Sequence, residues 1–180
     1  MIIGISIFFA CVVAVFGIIA VHEYGHYLAG ASSGIPRSAM SVRLFVFPQH
    51  VALRSENRWL HPQRDYERYV AASMALLKSR NRAGFYVAGG LLVQTLAFVA
   101  LVFSMAAAGV PRFVLSPVVF ALVSVPCLYL LFDLLSSHFK KKPSGDFSFL
   151  WRISPVASCV LTLFVFGAHV GVLLHVLKTA

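Results

Sequence analysis

The sequence predicts an all-α polytopic membrane protein of about four transmembrane helices, with a small β-hairpin in the loop after the first. Three observations predict it. The chain is 59% hydrophobic and only 12% charged over 180 residues, a balance that belongs to multi-span membrane proteins. Four apolar runs, about 2–28, 83–108, 113–135 and 147–177, are each long enough to cross a bilayer as a helix. The longest polar stretch, 36–82, carries short β-branched and aromatic runs on either side of a proline-containing turn. All of this is read as one membrane-embedded domain, 1–180. A formal charge of +9 would suggest nucleic acid in a soluble chain. Here the basic residues cluster between apolar runs, so the expected partner is the lipid bilayer and no nucleic acid.

The first span ends in His22-Glu23-Tyr24-Gly25-His26. Three ionisable groups inside an apolar run are costly unless each has a partner or a use. On a helix, residues four apart share a face, so His22 and His26 can reach one metal ion. Glu23 is turned about 100° from His22 and sits beside such an ion, placed to take a proton from a bound water. This is the spacing of zinc hydrolases, and it names Zn²⁺, one per chain, as the expected cofactor. Gly30, Gly34 and Pro36 are expected to end the helix. No basic segment precedes the apolar run, so it reads as a retained span and not a cleaved signal.

In the loop, the runs 41–47 and 51–54 flank Pro48 and suggest a hairpin. Its open edge, with Leu44 and Phe45 at its centre, can hold an extended substrate by backbone hydrogen bonds, or the stretch is a plain solvent-side loop. From Asp65 to Lys78 the pattern turns helical, as an interfacial helix would. In the second span Gly89-Gly90 lets another backbone approach closely. Gln94 places one amide in an apolar helix, either as packing glue or as a donor to the substrate or the developing oxyanion. Pro126 is expected to kink the third span.

Two histidines leave a catalytic zinc short of the usual three protein ligands. Asp133 near the end of the third span and Asp146 at the head of the fourth are both placed to supply the missing one, His138 less so. His169 and His175 lie six apart and share no helix face, so packing is the expectation for both. Cys11, Cys127 and Cys159 are isolated and lack the C-x-x-C spacing of a thiolate site.

His22 to Gly34, HEYGHYLAGASSG, resembles the active-site helix of the site-2 protease family of intramembrane zinc metalloproteases. Ala88-Gly89-Gly90-Leu91-Leu92-Val93-Gln94 is similar to that family's Ala-Gly-Gly-Pro-x-x-Asn element, with Leu91 and Gln94 replacing the Pro and Asn. Asp133-Leu134-Leu135 followed by Ser144-Gly145-Asp146 resembles its Leu-Leu-Pro loop and Ser-Asp-Gly, with Gly and Asp exchanged. The resemblance implies a minimal form without an inserted PDZ domain, set in a bacterial inner (plasma) membrane. It implies Asp146 as third ligand beside His22 and His26, and a membrane-anchored protein as the partner to be cut. A scaffold with a structural or vestigial zinc site is the rival class; it has no use for a base such as Glu23 beside the metal. Of fifteen Lys and Arg, all but Arg112 and Lys178 fall in 37–82 or 138–152. The basic side should be cytoplasmic, with both termini outside and the site toward the cytoplasm.

Overall fold

The computed structural model describes residues 2–178; Met1, Thr179 and Ala180, included in the single-domain expectation, lie outside them. Within them the chain runs α1 (Ile2–Ser32), β1 (Met40–Arg43), β2 (His50–Ser55), β3 (Arg58–Leu60), α2 (Tyr66–Leu77), α3 (Arg80–Ala107), α4 (Arg112–Lys140), α5 (Asp146–Ile153) and α6 (Pro155–Lys178). Four of these, α1, α3, α4 and α6, are long and apolar enough to cross a membrane.

α1 continues four residues past the expected end, to Ser32. Gly30 is helical, and Gly34 stops the helix in the left-handed region at φ +105°. The Ile35 amide bonds the Gly30 carbonyl at 2.9 Å and the Gly34 amide bonds Ala31 at 3.2 Å, closing the end as a Schellman motif. Ile35, 2% exposed, then turns into the core below the sheet. α1 packs chiefly on α3 through bare backbone. A Cβ placed on Gly25 would lie 2.5 Å from the Gly89 carbonyl oxygen, so any side chain there would force the two helices apart.

The polar loop folds as a three-stranded antiparallel sheet in the order β1-β2-β3, with Val42 opposite Val51 and Arg54 opposite Trp59. The expected hairpin is present and has gained a third strand. Leu44 and Phe45, however, are not on it. Pairing stops at Arg43 and His50, and 44–49 is a loop. Its apolar tip stands out from the protein: Phe45 and Phe47 are 92% and 85% exposed. The Phe45 ring lies 6.1 Å from Phe16, well inside the first span, so the tip runs along α1 at span depth. The helix expected over 65–78 is α2. Its Tyr69 hydroxyl donates to the Val51 carbonyl at 2.9 Å and meets Tyr86 of α3 at 2.7 Å, which ties the sheet to the bundle.

α4 runs on through Pro117 and Pro126. The fourth span is not the continuous helix expected over 147–177. It breaks at Ser154, which is extended, and Pro155 opens α6; proline lacks the N–H that a continuous helix would need there and suits the first turn of a new one. The short α5 is thereby free to lie at its own angle, its last carbonyls capped by Arg80 through Arg152 and Ile153.

Candidate metal centre

One turn of α1 supplies His22 and His26, and the head of α5 supplies Asp146. Their donor atoms all lie within 4.8 Å of one another, a group that could hold a metal ion. His22 Nε2 is 2.9 Å and His26 Nε2 3.1 Å from Asp146 Oδ2, and the two Nε2 atoms are 3.1 Å apart. The far side of each ring fixes what faces inward. His26 Nδ1 is 3.0 Å from the Tyr86 backbone carbonyl, which only accepts, so Nδ1 carries the proton. His22 Nδ1 is 2.8 Å from Gln94 Oε1, likewise an acceptor. When each ring is neutral, its Nε2 turns a lone pair toward the carboxylate. Three acceptors so converging repel one another unless a cation, either a metal ion or a proton, stands among them. The donor set of two imidazoles and one carboxylate, each ring held by an outer partner, fits a divalent ion such as Zn²⁺.

The backbone places these groups. Gly90 passes so close that a Cβ there would stand 2.4 Å from His26 Nε2; the second glycine of Gly89-Gly90 is what lets α3 lie behind the ligands. Asp133, the competing ligand, is fully buried but elsewhere. Its carboxylate accepts the Ser148 amide at 2.8 Å and the Ser137 and Ser148 hydroxyls. It thus caps α5, whose first N–H groups have no helical partner of their own. A Cβ on Gly145 would meet Asp133 Cγ at 2.7 Å. The Gly-Asp order now has a physical reason: glycine admits the capping carboxylate, and the next residue is left to face the histidines. His138 is exposed at the end of α4, away from the cluster.

Glu23 is 8% exposed and lines, with His22, His26 and Asp146, a cavity of about 620 Å³. Gln94 lines it too, but its oxygen is committed to His22, a role the sequence did not reveal. The 44–49 loop contributes Phe47, Pro48 and Gln49 to the wall, while Leu44 and Phe45 do not line it. The role of Tyr86 was also missed; the only signal for it is that buried polar groups of one span must find partners on another. No protein-family model matches this chain, and no curated protein or solved structure does either. The site is therefore read from its own residues.

Beside the lining residues His50, Pro62 and Gln63, His61 Nδ1 accepts the backbone amides of Gln63 and Arg64, and its ring lies 4.1 Å from that of His50. Loss of solvent, with the His50 and Arg64 charges adding to it, pushes its pKa down to about 4.

Proposed function

We propose that this chain is an intramembrane zinc metalloprotease, hydrolysing peptide bonds in or near the transmembrane segments of membrane-anchored proteins. The observation that carries the reading is the junction of two features: a tautomer-fixed His-His-Asp triad and an adjacent carboxylate, both opening on one cavity within a bundle of apolar helices. His22, His26 and Asp146 hold the ion. When bound, Zn²⁺ supplies Lewis acidity, which acidifies a water toward neutrality and polarises a carbonyl. The chain's own residues do the rest. Glu23 has no hydrogen-bond donor on its carboxylate among the described residues, so it is free to take the proton of the attacking water and return it to the leaving amine. A structural site has no use for such a base, which disfavours the scaffold reading. Gln94 and the Tyr86 carbonyl hold the histidines in the ligating tautomer throughout.

A substrate helix has its carbonyls bonded internally and must unwind before one can enter the cavity. The positive-inside bias of the basic loop and the α4–α5 link supports a site on the cytoplasmic side of a bacterial inner membrane, with both termini outside.

The test is Glu23→Gln. Cleavage of a model transmembrane substrate should fall at least about 10³-fold while the purified protein keeps one zinc per chain. Retained activity, or a folded variant without zinc, would overturn the assignment of Glu23 as base.

A further inference from the structure

We propose that Tyr129 is a second catalytic group, whose phenolic hydroxyl donates a hydrogen bond to the substrate carbonyl oxygen as that oxygen gains negative charge. The proposal rests on the proteolytic reading above and deepens it.

Tyr129 sits on α4 and lines the cavity. Its ring meets His22 in a T-shaped contact at 5.6 Å and lies 6.0 Å from Phe147, so it is clamped between the two elements that bring the ligands. Its Oη accepts the backbone N–H of Asp146 at 3.1 Å. The oxygen is thereby pinned at the residue that contributes the third ligand. A phenol has one proton to give as well as lone pairs to offer. Here a lone pair is used and, among the described residues, the proton goes to no protein acceptor. An accepted hydrogen bond polarises the O–H and strengthens it as a donor. A donor fixed in advance beside the reacting carbonyl is what stabilisation of a developing oxyanion requires.

Several other donors that line the cavity are committed. Tyr69 gives its proton to the Val51 carbonyl, so in the Tyr69–Tyr86 contact Tyr86 is the donor. The Nδ1 proton of His50 goes to the Pro48 carbonyl. Gln94 accepts from His22 through Oε1, and although its amide N–H groups meet no acceptor among the described residues, changing it would disturb a ligand. Tyr129 can be altered without touching either histidine's outer partner.

The experiment is Tyr129→Phe, which keeps the ring and its contacts with His22 and Phe147. On zinc-loaded protein in detergent, the kcat for a model transmembrane substrate should fall about 10²-fold with KM within twofold, the effect of losing one oxyanion donor. The affinity for a peptide phosphinate, a tetrahedral mimic, should weaken by a similar factor. Zinc affinity, measured by competition with a chelator, should not move. Unchanged kcat and phosphinate binding would overturn the proposal. So would a parallel loss of zinc affinity, because Tyr129 would then act only as a tether for Asp146. If the wild-type protein cleaves nothing, the proteolytic reading fails, and phosphinate binding still decides about Tyr129. Weaker binding by the variant upholds it as a donor at this site; equal binding overturns it.

Discussion

The ligand cluster and the polar groups between α3 and α6 are both islands of polarity among apolar helices, but they are wired differently. Around His22 and His26 each outer ring nitrogen finds an acceptor on another helix, and the inner nitrogens converge on a carboxylate. On α6, His169 is 1% exposed and bonds only its own helix, through Nδ1 to the Val165 carbonyl at 2.7 Å. Its ring stacks almost parallel on Phe98 at 4.2 Å. Its Nε2, like the Thr95 hydroxyl, meets no partner among the described residues. What separates a site from a packed polar residue here is where the partners come from. Interhelical partners fix a geometry; a bond within one turn fixes only a rotamer.

The comparison is broken most severely at Asp146. Asp146→Ala should lose zinc and all cleavage, measured as metal content of purified protein. Asp133→Ala should keep its zinc and lose about 2–3 kcal/mol of stability, because buried donors of α5 are left without their acceptor. Reversed metal contents would make Asp133 the ligand. Next in size is Gly90→Ala, which presses a methyl on His26 and should weaken zinc at least about tenfold with the fold retained; unchanged affinity would show that α3 can back away. His169→Phe keeps the stack, removes an unpaired nitrogen and should leave zinc untouched, with stability unchanged or raised by about 1 kcal/mol. A variant that lost zinc would make the second island part of the first.

The smallest effect is electrostatic. His61 is held neutral, with its pKa about 4 against an ordinary 6.5, so between these values the unfolded chain binds the extra proton. The stability this contributes is complete above pH 6.5 and is lost as pH falls toward 4. His61 is only partly buried, so the effect should stay local. Hydrogen exchange at the Gln63 and Arg64 amides, which donate to His61, should quicken over that window, and a flat profile would remove His61 as their anchor.

The spans were legible because a bilayer demands long apolar runs, and His22, Glu23 and His26 because such groups in a span demand a use. Asp146 was favoured by resemblance and by the flexible Ser144-Gly145 before it; the sequence itself left Asp133 open, since both carboxylates stand near a helix end. What hydropathy could not register was the break at Ser154, because Pro155 at the start of a helix and an apolar run passing through it look alike. Leu44 and Phe45 read as strand from their side chains, but pairing is settled by the partner strand, which begins only at His50. The outer partners of the histidines, a glutamine side chain and a main-chain carbonyl, carry no signature of their own at any spacing.

The triad draws its members from α1 and α5, 120 residues apart in the chain, and α5 is joined to α6 through an extended residue at Ser154. Docking of that short helix and occupation of the site are therefore one linked equilibrium. An ion held by all three groups adds its binding free energy to the closed arrangement and to no other. An ion bound there would serve as a latch between α1 and α5.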